Sequence, residues 1–253
     1  MKLKSTIIIS LLLCQFLLMS CAMTAKQKAQ ADTHKKTGAA LLESGRYLGA
    51  LTELLEADKN APNDPETNYY LGIAYQGRGL RDLAMERFQN AVSLKQNYSE
   101  AHNYIGVIYM DMGQWQKAIE SFDKALANYL YATPALALYN SGWAYYNLQN
   151  YNMAMSRYQQ ALRQDPIPSL QPHIEKNMGL VCIKQSNLLR AKEHFEKSVR
   201  LNPSLYDAHF FLAETYWKIN DNENAKKSFQ QVIDLAPQTP FGQKAQEYLR
   251  SLQ

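Results

Sequence analysis

The chain has 253 residues, with 27 basic against 23 acidic and 46% apolar. That length can bury a sizeable core or build a long repeat array. The near-balanced charge of mixed sign argues against nucleic acid as a partner, since phosphate binding wants a basic excess gathered on one face.

The first predicted element is a leader. Lys2 and Lys4 precede an apolar run of 13 residues from Thr6 to Leu18. Crossing a bilayer takes roughly 20 residues, so the run suits a secretory signal peptide, predicted over 1–20. It leads into Leu18-Met19-Ser20-Cys21, which resembles a bacterial lipobox: Leu at minus 3, a small residue at minus 1, then the Cys that is lipidated. Two or three acyl chains on Cys21 would hold the protein on a membrane far more firmly than one. Ala22 stands where an Asp would signal inner-membrane retention. The expected location is therefore the outer membrane, lipid-anchored and facing the periplasm. Losing Lys2 and Lys4 with the leader leaves 25 basic and 23 acidic residues, a net charge of +2. Cys14 leaves as well, so Cys182 is the one cysteine remaining beside Cys21, and no internal disulfide framework can form. Residues 21–30 lack apolar periodicity and read as the lipidated Cys and a short flexible tether.

From 31 onward the sequence repeats, and the repeat domain is predicted over 31–253. Small residues recur at Gly38, Gly72, Gly106, Gly142, Gly179 and Ala213, at intervals of 34, 34, 36, 37 and 34. Twelve positions after each marker stands an alanine: Ala50, Ala84, Ala118, Ala154, Ala191 and Ala225. Four further on come Leu54, Phe88, Phe122, Tyr158, Phe195 and Phe229. Three positions after the marker stand Leu41, Tyr75, Tyr109, Tyr145, Cys182 and Tyr216. This predicts six helix pairs starting near 31, 65, 99, 135, 172 and 206. Pro62, Pro166, Pro203 and Pro237 close four of them. Within each pair the small residues let two backbones approach over one ring, and a pair this small must stack on its neighbours to bury its apolar face. In the fourth unit the turn is Leu148-Gln149-Asn150, with Asn150 expected to take the tight conformation. Ala245, Tyr248, Leu249 and Leu252 are helically spaced and predict a capping helix over 241–252.

This series resembles the tetratricopeptide repeat over about 207 residues, from Ala31 to Pro237. The resemblance implies an all-α fold, a right-handed superhelical solenoid of six repeats. Two period breaks interrupt it: two extra residues around Asn128–Pro134 and three around Pro166–Pro172.

The chain carries no phosphate loop, no H-E-x-x-H and no G-x-S-x-G. Its histidines (His34, His102, His173, His194 and His209) fall in different repeats without ligand spacing. Cys182, where other units carry Tyr, reads as a small buried apolar residue. No enzyme, metal or cofactor is expected. What remains is protein binding.

In tetratricopeptide arrays the first helices line a concave groove. The resemblance assigns that face to offsets minus 3, plus 1 and plus 4 from each marker. The groove candidates are Tyr69, Ile73, Asn103, Val107, Met110, Tyr139, Trp143, Tyr146, Lys176, Leu180, Phe210 and Trp217, accompanied by Gln76, Ile183 and Glu214. Such aromatics are enriched in interface hot spots and suit an extended peptide or an amphipathic helix. Lys176 and Asn177 form only a fragment of the set that clamps a terminal carboxylate in chaperone-binding repeats.

Lipobox, short tether and six repeats together resemble the type IV pilus biogenesis and stability lipoproteins, the pilotin group of PilF, PilW and Tgl. Leu130-Tyr131 and Pro134 ahead of Asn140 and Gly142 are similar to the loop opening the corresponding repeat in that family, as is the stretch Lys176 to Leu180 with Phe195 to Ser198. The resemblance implies a scaffold that assists assembly or stability of the pilus secretin, with a secretin subunit or other pilus component as partner. Two alternatives stay open: an NlpI-like periplasmic adaptor for peptidoglycan hydrolases or proteases, and a scaffold of another secretion or motility apparatus.

Overall fold

The computed structural model of the protein describes residues 25–164 and 167–252. The expected leader, the lipidation site Cys21 and Pro166 lie outside the described residues. Among those described there are thirteen helices and no strand. They are α1 (Ala25–Glu43), α2 (Tyr47–Asn60), α3 (Pro65–Gly77), α4 (Arg81–Leu94), α5 (Ser99–Asp111), α6 (Trp115–Leu126) and α7 (Pro134–Asn147). There follow α8 (Tyr151–Arg163), α9 (Gln171–Lys184), α10 (Leu188–Leu201), α11 (Tyr206–Lys218), α12 (Asn222–Leu235) and α13 (Pro240–Ser251). None is long and apolar enough to cross a membrane.

The fold is an all-α solenoid of helix pairs, and the chain divides into two compact units, one ending at Ala101 and the other beginning at His102. In the first, α1 packs on α2 and α3 on α4. In the second, α7 and α8, α9 and α10, and α11 and α12 pair in turn, with α13 against α12.

The marker residues explain the pairing. A Cβ added at Gly142 would lie 2.6 Å from the Tyr158 ring, and one at Gly38 would lie 2.6 Å from Leu54. Gly72, Gly106 and Gly179 sit in the same way on Phe88, Phe122 and Phe195. Each marker thus admits the residue sixteen positions on, and the alanine between them is fully buried in all six repeats. Pro65, Pro134, Pro172 and Pro240 open their helices, where the absent N–H costs nothing.

Two expectations need correction. First, α1 begins at Ala25, so residues 25–30 are helical and not a tether. Ala, Lys and Gln are strong helix formers that need no buried face once a longer helix continues them. Second, the left-handed residue of the fourth turn is Gln149, at φ 59°, and not Asn150. Asn150 has φ −85° and instead caps α8, its side chain accepting from the Met153 N–H at 3.2 Å.

Candidate partner-binding groove

The first helices of the second unit set the site. α7 carries Tyr139, Trp143 and Tyr146 one turn apart along one face, and α9 lies beside it with Lys176, Leu180 and Ile183. Met110, Tyr139, Asn140, Trp143, Lys176 and Asn177 surround a hollow of about 240 Å³. A second hollow, about 180 Å³, lies further along and is lined by Tyr146, Leu180, Ile183, Phe211 and Glu214 among others. Trp143 and Tyr146 stack at 5.1 Å with planes 9° apart, and Tyr151 meets Tyr146 edge-on at 5.7 Å. These rings brace one another while remaining half-buried, so a binding partner would not have to order them.

The floor is neutral and polar. Asn140 Nδ2 donates to Asn103 Oδ1 at 3.3 Å, and Asn177 Nδ2 donates to the Tyr158 hydroxyl at 3.4 Å. Burial pushes the Tyr139 phenol up, against a hydrogen bond with Asn177 that lowers it, and burial likewise pushes Tyr146 up. Both are neutral at physiological pH. Lys176 is committed: its Nζ lies 2.7 Å from Asp207 Oδ2 and its side chain is 14% exposed. A lysine held this way is not available to clamp a terminal carboxylate.

The structure therefore gathers Met110, Tyr139, Trp143 and Lys176 around one hollow and Tyr146 and Leu180 around the next. Asn103 is buried beneath the first, and Val107 is half-buried against the Ile119 and Phe122 cluster. Trp217 is 40% exposed beside Tyr248. Phe210 must be removed from the groove: it is buried under Phe229, Phe241 and Tyr248, because α13 closes over that end of α11. Tyr69 and Ile73 belong to the first unit, where Tyr69 packs on Tyr98 at 5.0 Å and Phe88 at 6.0 Å. Asn140 and Asn177 were missed among the groove candidates. Their signal was available, a polar residue two positions before the marker in two successive repeats.

Repeat geometry and groove define a class, and the sequence carries the same signature. Family models of the tetratricopeptide repeat match residues 97–166, 177–205 and 206–239, and the chain belongs to the tetratricopeptide-repeat proteins. Within that class it is 28% identical to the type IV pilus assembly protein PilF of Pseudomonas aeruginosa over 175 residues, 69% of this chain and 68% of PilF. It is also 25% identical to the Hsp70-Hsp90 organising protein of Plasmodium falciparum over 208 residues, which is 82% of this chain but 30% of that protein. The solved structure of Pseudomonas aeruginosa PilF superposes with a TM-score of 0.77 at 16% identity, covering 88% of this chain and 99% of PilF. That of PilW, described as a widely conserved type IV pilus biogenesis factor, gives 0.77 at 20% identity, covering 85% and 98%. At these identities the structural likeness speaks for the fold.

Proposed function

We propose that this chain is an outer-membrane lipoprotein, facing the periplasm, that holds a segment of a type IV pilus component, first of all a secretin subunit, so that the secretin ring assembles and persists. The observation that carries the binding role is the hollow at Tyr139 and Trp143. Its walls are braced rings, its floor is neutral amide, and the lysine on its rim is already paired. Such a surface suits an apolar side chain with its backbone amide, in an extended or helical segment, and not a charged terminus. The identity with PilF supports placing that segment in the pilus machinery. The Leu18-to-Cys21 motif supports the anchor.

In a deletion strain, heat-stable secretin multimers in the outer membrane should be lost. Complementation with the Trp143→Ala, Tyr146→Ala double variant should leave the helical spectrum and melting curve intact while secretin binding weakens about tenfold or more. Multimers that survive the deletion remove the secretin role. A double variant that folds and binds as before removes the groove.

A further inference from the structure

The loop between α6 and α7 carries two extra residues over the 34-residue period, and it spends them on the most exposed apolar pair in the described chain. Tyr129 is 102% exposed and Leu130 is 90% exposed. The loop is nonetheless built and held. The Asn128 side chain accepts from the Leu130 N–H at 3.0 Å, and the Asn128 carbonyl accepts from the Tyr131 N–H at 3.1 Å. The next side chain, Tyr131, is buried against Ala118, Ile119, Phe122 and Ala137 of the two flanking helices. The chain thus roots Tyr131 in the core and thrusts Tyr129 and Leu130 into solvent.

We infer that Tyr129 and Leu130 form a finger that inserts into the interface of the bilayer to which the chain is anchored. This rests on the lipid-anchor reading above. Cys21 stands four residues before Ala25, a reach of at most about 14 Å. An acylated chain therefore keeps its body at the membrane surface, where the effective concentration of lipid is high and a small insertion suffices. Two side chains alone offer far less than the roughly 800 Å² per partner that a stable soluble complex buries. Tyrosine favours the headgroup level and leucine the hydrocarbon below it, which is the chemistry this tip presents. Charge agrees. No carboxylate occurs between Asp123 and Asp165, while Lys124, Arg157 and Arg163 do, so this stretch does not repel anionic headgroups.

The test uses the full chain, purified from membranes and reconstituted into vesicles of phosphatidylethanolamine and phosphatidylglycerol. Leu130→Cys carries an environment-sensitive fluorophore, Cys182 being buried and Cys21 acylated; Ser186→Cys, in the exposed α9–α10 turn, is the control. The expected result is a blue shift at 130, quenched by nitroxide-bearing lipid, with neither effect at 186. Floating, acylated protein whose probe at 130 stays solvated overturns the finger and leaves the anchor standing. A shift at 130 that appears only when a protein partner is added overturns it in favour of a protein contact. Absence of labelled palmitate on the wild-type chain, with a Cys21→Ala chain as the reference, overturns anchor and finger together.

Discussion

Seven residues after each marker the backbone turns left-handed, and the chain meets that demand in two ways. Gly45, Gly79 and Gly113 take positive φ in the first three repeats, whereas Gln149, Ser186 and Asn220 take it in the last three. The following residue compensates. Arg46, Leu80 and Gln114 give their helices no side-chain cap, while Asn150, Asn187 and Asp221 each accept from a backbone N–H three residues on. Gln149→Gly should thus add roughly 0.5–1 kcal/mol by removing the left-handed cost, less the entropy glycine returns to the unfolded chain. Asn150→Ala should remove about 1 kcal/mol with its cap. Both positions are exposed, so urea midpoints read these effects without a packing change. A second residue-scale device lies between α9 and α10, where buried Glu175 meets His194 at 2.8 Å and Lys197 at 2.6 Å. Burial opposes the His194 imidazolium, but hydrogen bonds with Cys182 and Glu175, and the Glu175 charge, raise it to about 9. Burial would raise Glu175, yet bonds from His194 and Lys197 hold it below the usual carboxylate range. The imidazolium's stabilisation is complete below its unfolded pKa near 6.5 and is lost as pH rises through about 9. The carboxylate's is present above its unfolded pKa near 4.5 and is lost as pH falls. His194→Gln should flatten the decline in urea midpoint on the alkaline side of 6.5; an unchanged slope there would show that the pair contributes nothing.

Helices are held together here by the size of single residues, and the same substitution should act differently at two glycines. At Gly142 a Cβ would lie 2.6 Å from the Tyr158 ring, and a ring can shift: the sixth repeat already carries Ala213 at the marker over Phe229. Gly142→Ala should therefore overpack by about 1–3 kcal/mol and leave the fold intact. At Gly242 the added Cβ would run into the Ala236 carbonyl oxygen and lie 2.8 Å from that of Pro237, and backbone cannot step aside. Gly242→Ala should undock α13, uncovering Phe210 and Phe229, which shows as hydrophobic-dye binding and early proteolysis at the C-terminal helix while the remaining repeats stay helical. A variant as dye-silent as wild type would show that α13 is not held by this contact. The repeat series was legible because marker, alanine and ring each answer a packing demand that recurs at a fixed spacing. The burial of Phe210 was not, since the helix that covers it lies beyond the last repeat and its offset alone resembles that of Tyr139. The start of α1 escaped for the opposite reason, a helix extension that buries almost nothing.

At the scale of the whole molecule, charge is spent on stitching repeats together. In the first unit Lys35 reaches Asp64 at 3.1 Å and Glu66 at 2.8 Å in the following repeat, and Arg87 reaches Asp58 at 2.9 Å in the preceding one. In the second, Lys176 reaches Asp207 at 2.7 Å and Arg157 reaches Asp123 at 2.7 Å. Lys35 and Lys176 hold the same offset, three before the marker, and their acidic partners Glu66 and Asp207 also share one, six before the next. Sequence placed Lys176 in the groove correctly but could not price its charge, because the partner is 31 residues away. The aromatic faces of Tyr139 and Trp143 were legible from spacing alone. It follows that capture of a partner should depend on rings and amides and little on ionic strength. Raising salt from about 50 to about 500 mM shortens the screening length from roughly 14 to about 4 Å, enough to abolish attraction between exposed charges. Affinity for an uncharged, aromatic-rich peptide should then fall less than about threefold, or rise as apolar burial strengthens in salt. A loss of two orders of magnitude over that range, read by titration calorimetry, would move the interaction off the Tyr139–Trp143 hollow and onto exposed charge.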